Sequence, residues 1–194
     1  GNHTWDNKDI FKFIDSSEYN LIRPLNYVPG VPGKGCTVLS INNYNIGIIN
    51  LIGQIFMGNH NSPIHTYENY IEEIRNLTDI VIIDFHAEAT GEKLAFANYV
   101  DGEVSCVLGT HTHVQTADAQ ILNNGTGYMT DLGFTGAVDS ILGMKKEKVV
   151  EKYRTKLPQY YDVGTGNCQL NGVLISIDMN SGKTTAIEAI NINN

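Results

Sequence analysis

Two short apolar runs, each closed by polar residues that include histidine, constrain this chain more than any other feature. Ile80-Val81-Ile82-Ile83 leads into Asp84-Phe85-His86, and Val104-Ser105-Cys106-Val107-Leu108 leads into Gly109-Thr110-His111-Thr112-His113. Apolar runs without alternation are typical of strands covered on both faces, as in parallel sheets flanked by helices. Between them, Thr90 can cap a helix that continues to about Val100. Ahead of the first run, Thr66 can cap a helix to Asn76, with Tyr70, Ile71, Ile74 and Leu77 turned inward. Strand, helix and strand in this order predict an α/β domain.

The flanks predict hairpins. Cys36–Ile41 and Tyr44–Ile52 are β-rich runs joined by Asn42-Asn43, and Gly172–Asp178 and Thr184–Ile192 surround Asn180-Ser181-Gly182. Asp6 can cap a short helix carrying Ile10, Phe11, Phe13 and Ile14, and a breaker-rich loop with Pro24, Pro29 and Pro32 follows it. A further helix at about Lys145–Thr155 carries mixed charge, the pattern of a solvated face. No internal repeat occurs, and 194 residues fit a single domain spanning 1–194 with ample core.

Composition narrows the function. A hydrophobic content of 42% with 18% charged residues excludes a disordered chain. The net charge of −8 argues against a nucleic-acid duplex or an anionic membrane as partner, because both reward clustered Lys and Arg. No apolar run reaches the length of a membrane span. Three separated cysteines, Cys36, Cys106 and Cys168, suit a reducing compartment in which thiols serve as small core residues, so a cytoplasmic protein is expected.

The candidate ligands lie where strands end or loops begin: Asn2 and His3 at the start, His86 after one buried run, His111 and His113 after the other. Open α/β sheets gather their sites at the carboxyl ends of strands. In an extended segment residues i and i+2 point the same way, so His111 and His113 can address one site together. Histidine with asparagine oxygen and no thiolate suits Mn, Fe or Zn. The spacing accommodates one shared ion or two neighbouring ions, the latter being the clamp used in phosphate-ester hydrolysis.

Gly1-Asn2-His3, Asp84-Phe85-His86-Ala87-Glu88-Ala89-Thr90 and Gly109-Thr110-His111-Thr112-His113-Val114-Gln115-Thr116-Ala117-Asp118 closely resemble the calcineurin-like metallophosphoesterases, and more narrowly the bacterial YmdB-like cyclic-nucleotide phosphodiesterases. Arg23-Pro24-Leu25-Asn26, Pro32-Gly33-Lys34-Gly35, Thr130-Asp131-Leu132-Gly133-Phe134-Thr135-Gly136 and Asp139-Ser140-Ile141-Leu142-Gly143 extend the likeness over nearly the whole chain. The resemblance implies two mixed β-sheets packed as a sandwich and flanked by helices. It implies a dinuclear centre of Fe or Mn, or else Zn, acting on a small phosphodiester such as a 2′,3′-cyclic nucleotide. Carried over by position, Asn2, His86 and His111 match ligands of one ion, His113 matches a ligand of the other, and His3 matches the general acid. Two bound cations would give an acidic protein an anion site.

The family begins with further strand–helix units bearing an Asp and then a Glu-Asn pair, among which lies its bridging carboxylate, and the motifs here start at Gly1. The expectation is therefore a domain without those N-terminal strands. One ion would keep three ligands and the other only His113, with weak metal binding and little phosphodiesterase activity. Glu88, Thr90 and Asp131 could orient imidazoles, although Thr90 is equally suited to a helix cap and Asp131 to a turn. Tyr160 and Tyr161 could line a base pocket. Gly58-Asn59-His60 repeats the opening tripeptide in what reads as a variable loop, and His65 reads as a surface residue. A non-catalytic binding or regulatory module of the same fold and a nucleotide phosphomonoesterase stay open as alternatives, as does a homo-oligomer.

Overall fold

The computed structural model describes residues 1–193. A short 3-10 helix, Lys8–Lys12, comes first; Asn7, rather than Asp6, caps it by accepting the Asp9 N–H, and none of its residues is buried. Strands β1 (Cys36–Ile41) and β2 (Tyr44–Ile52) form the expected hairpin. Asn42 and Asn43 take φ of +49° and +69°, the left-handed pair that a two-residue turn between twisted strands requires.

Helix α1 (Pro63–Arg75) starts earlier than Thr66 because Ser62 accepts the His65 N–H and Pro63 presets the first turn. Its buried stripe is Tyr67, Ile71 and Ile74, while Tyr70 and Leu77 are exposed, a correction to the expected phase. Strand β3 (Val81–His86) buries Val81, Ile83 and Phe85 on one face and leaves Ile82, Asp84 and His86 half-buried on the other. The run is therefore fully covered on one side only. Helix α2 (Thr90–Tyr99) lays Phe96, Ala97 and Val100 on the same core, with Phe96 stacked on Phe85 at 4.6 Å between ring centroids.

Strands β4 (Cys106–Thr110), β5 (Gln120–Ile121) and β6 (Gly127–Met129) complete a six-stranded mixed sheet in the order β1-β2-β3-β4-β6-β5. Its four central strands, β2, β3, β4 and β6, run parallel. Their carboxyl ends consequently share one edge, and His86 stands opposite Thr110 in the register. The rest of the chain supplies β7 (Gly136–Ala137), helix α3 (Lys146–Thr155), β8 (Cys168–Ile177) and β9 (Thr184–Asn193). Strands β7, β8 and β9 form a second, antiparallel sheet. Thr184 at its start ties it to the larger sheet, donating its N–H to the Gly125 carbonyl and its hydroxyl to the Ser105 carbonyl.

Helix α3 presents the expected solvated face, with Val149 its one buried residue. One expectation needs correction. Among the thiols only Cys106 is a core residue, its pKa pushed up to about 12 by burial, whereas Cys168 is exposed.

Candidate functional site

Three distant stretches of chain meet at the shared strand edge. Asn2 Oδ1 lies 2.8 Å from His86 Nε2, and His86 Nε2 lies 3.2 Å from His111 Nδ1. Gly1 makes the first approach feasible, because a Cβ there would sit 2.5 Å from the His86 ring. The outer nitrogens are fixed by partners. Thr110 Oγ1 donates to Asp84 Oδ1 at 2.7 Å and so accepts from His86 Nδ1–H at 2.9 Å. Asp84 Oδ2 accepts in turn from Asn50 Nδ2 at 2.7 Å. His111 Nε2 faces Glu88 Oε2 at 3.0 Å and donates to it. Both rings therefore turn an unprotonated nitrogen inward, so two imidazole lone pairs converge with the amide oxygen of Asn2. Burial pushes His86 down to about 3 and also lowers His111. Both stay neutral, as ligating imidazoles must be.

The turn that carries His111 is strained. Strand β4 ends at Thr110, and His111 and His113 take φ of +110° and +62°, values that cost energy for side chains with a Cβ. The residues thus leave the extended geometry that would have aimed both imidazoles alike. The backbone between them is held from inside: Asp131 Oδ2 accepts the Thr112 N–H at 2.9 Å, and its Oδ1 accepts the Gly133 N–H at 3.0 Å. Lys93 Nζ pairs with the same Oδ2 at 2.9 Å, with both side chains wholly buried. Asp131 thus braces the peptide of the histidine turn rather than an imidazole. Gly109 permits this packing, since a Cβ there would collide with the Thr130 carbonyl oxygen at 1.7 Å.

The remaining candidates fall on either side of this cluster. His3 is exposed at the mouth, with Nδ1 2.7 Å from Asp6 Oδ2. His113 stands apart from the three converging donors: its ring stacks on Phe134 at 5.9 Å, and Nδ1 lies 3.3 Å from the Leu142 carbonyl oxygen. Thr90 is exposed at the first helical position of α2, where the cap residue is Ala89, and makes no hydrogen bond to the imidazoles among the described residues. Tyr161 lines the cleft, whereas Tyr160 is 96% exposed. His60 Nε2 contacts the Met57 carbonyl oxygen beside the Tyr27 ring, away from the cluster. Sequence reasoning missed Lys93, Asp6 as the partner of His3, and the Asp84–Thr110 relay.

A cleft of about 540 Å³ joins Asn2, His3, His86, His111 and His113 to the inner side of α3. A recess of similar size, about 550 Å³, lies over Arg23 and His65. The Arg23 guanidinium is already committed to the Pro24, Val31 and Pro32 carbonyls, so it offers no free cation to a ligand.

The converging donors fit a metal ion. Ligands held about 2.0–2.2 Å from a common centre are roughly 2.8–3.5 Å apart, which brackets the 2.8 and 3.2 Å separations here. Without a cation, three inward lone pairs would repel. The set is mixed: among the described residues no three His, Cys, Asp or Glu side chains gather as a metal group, and the third donor is an amide oxygen.

A family model described as YmdB-like protein matches residues 1–190. The chain is 48% identical over 193 residues to the 2′,3′-cyclic-nucleotide 2′-phosphodiesterase of Bacillus subtilis (strain 168), covering 100% of this chain and 73% of that protein. The crystal structure of a hypothetical protein from Thermus thermophilus superposes with a TM-score of 0.93 at 37% identity, over 100% of this chain and 74% of the other. That of a novel phosphatase from Mycoplasma pneumoniae gives 0.89 at 33% identity, over 100% and 70%.

Proposed function

The chain belongs to the YmdB-like family, and on that footing we propose that it is a metal-dependent phosphodiesterase that opens 2′,3′-cyclic nucleotides. The observation that carries the reading is the convergence of Asn2 Oδ1, His86 Nε2 and His111 Nδ1 beside His3 in one cleft. Asn2, His86 and His111 would hold one ion, and His113, lining the same cleft, would serve a second. Fe or Mn suits this nitrogen and oxygen set, as does Zn. When bound, the ions would neutralise the phosphoryl oxygens and acidify a water molecule.

The chain's own residues then have separate tasks. Thr110 and Glu88 keep the two inner nitrogens deprotonated and aimed. His3, its ring oriented by the Nδ1 contact with Asp6, would supply the proton to the leaving oxygen. Water adds to phosphorus, the P–O2′ bond breaks, and O2′ leaves with that proton to give the 3′-phosphate. Residues 1–194 would supply the C-terminal majority of the catalytic domain, in a reducing cytoplasmic setting.

Metal content and hydrolysis of 2′,3′-cyclic AMP test the reading, with 3′-AMP as the competing phosphomonoester. Turnover of the cyclic ester that falls at least 100-fold in His3→Ala, with metal content unchanged, is expected. Faster release of phosphate from 3′-AMP than ring opening would favour the phosphomonoesterase. Tight metal binding that survives His111→Ala would overturn the ligand assignment.

A further inference from the structure

The cleft has two chemically different ends. Histidines and Asn2 line one; Ile141, Leu142, Met144, Val149, Tyr153 and Tyr161 line the other. The apolar end belongs to the excursion between β7 and β8, and backbone bonds close that excursion at its neck: Lys145 N–H to the Asp162 carbonyl and Gly164 N–H to the Gly143 carbonyl. Val149 and Tyr153 are one helical turn apart on α3, so both reach the cleft from the same side. Two lysines steady the aromatic rings. Lys152 Nζ sits 5.1 Å from the Tyr161 centroid, and Lys156 Nζ sits 5.5 Å from that of Tyr153.

We infer that this apolar end is a stacking subsite for the nucleobase, in which Tyr153 and Tyr161 hold the base while the phosphate sits at the histidines. The inference rests on the cyclic-nucleotide reading and deepens it. Three observations argue for a base rather than another apolar occupant. The subsite is continuous with the donor cluster in a cleft whose volume, about 540 Å³, falls within the range of small-molecule pockets. A phosphate seated at the cluster leaves the rest of a nucleotide to extend along the cleft. The walls offer π-faces and aliphatic groups, and the tyrosine hydroxyls are the only side-chain hydrogen-bonding groups among the six. Stacking on such walls is tolerant of base identity, because every base has a π-face. The subsite should therefore favour nucleotides over base-free esters while discriminating weakly among the four bases.

Equilibrium binding tests this without requiring turnover. Calorimetric titrations with adenosine 3′-monophosphate and with the 3-phosphate of methyl riboside, at one fixed Mn²⁺ concentration, compare ligands that differ only in the base. Base–aromatic stacking corresponds to roughly five- to 150-fold in affinity, so a gap of at least fivefold is expected. Tyr161→Ala and Tyr153→Ala should each narrow it severalfold, with base-free binding unchanged within twofold, and Tyr160→Ala should leave both ligands unchanged. Adenine, guanine, cytosine and uracil 3′-nucleotides should agree within about tenfold. Equal affinity for the two esters, no measurable nucleotide binding, or insensitivity to both cleft tyrosines overturns the subsite. Base-dependent binding with no hydrolysis of any cyclic nucleotide would instead overturn the catalytic reading and leave the subsite standing. Tyr153 and Tyr161 are 71% and 40% exposed, so their removal leaves the core intact.

Discussion

Removing the ammonium of Lys93 should damage the protein far more than an ordinary lysine substitution. Its side chain and that of Asp131 are both fully buried and meet at 2.9 Å. Lys93→Met keeps the length and the apolar stem that packs against Gly109, so little is lost in packing. What remains is a buried carboxylate with only the Thr112 and Gly133 N–H groups as donors. Breaking a buried pair from one side costs about 3–5 kcal/mol, set against a typical total stability of about 5–15 kcal/mol. With a urea m-value of about 2 kcal/mol/M, the unfolding midpoint should fall by roughly 1.5–2.5 M. Neutralising the stranded charge should recover part of this: Lys93→Met/Asp131→Asn should be about 1–3 kcal/mol more stable than the sum of the single effects. The assay is urea unfolding of all three variants, together with the Thr112 amide proton by NMR. That proton should sit downfield and exchange slowly in the unaltered chain, and move upfield in Asp131→Asn. Metal affinity should drop about 10–100-fold in variants that stay folded, because the side chain that braces the strained His111–His113 backbone loses the charge pair that positions it. A Lys93→Met protein within 1 kcal/mol of the parent, or strictly additive double-mutant energies, would refute the reasoning.

Two further outcomes follow from local geometry. Because the folded state holds His86 neutral down to about 3 while the unfolded chain takes up a proton near 6.5, stability should fall as pH drops below 6.5. Urea midpoints at pH 7 and pH 5 should differ less in His86→Gln than in the parent, and an unchanged difference would remove His86 as the cause. Lys156 closes α3 in the left-handed region at φ +61°, where glycine carries no Cβ penalty. Lys156→Gly should therefore raise stability by about 0.5–1 kcal/mol in thermal unfolding.

The parts of the fold that were legible in sequence are those fixed by short-range pattern. Asn42-Asn43 between β-rich runs needs no distant partner to specify its turn, and the two apolar runs announce β3 and β4 together with the polar ends that carry the site. The errors arise where a residue's role depends on a neighbour distant in sequence. Lys93 looks like an exposed helix residue because lysine is almost never fully buried unless paired, and its partner lies 38 positions away. The i and i+2 spacing of His111 and His113 presumed an extended backbone, and nothing local signals that the extended geometry stops at Thr110, before His111. Asp84, a polar residue closing an apolar run, shows the same limit: its position was readable, but its link to His86 runs through Thr110, which only the β3–β4 register brings alongside. Spacing could thus nominate donors singly, while their convergence is set by the packing of strands whose alignment no single stretch of the chain encodes.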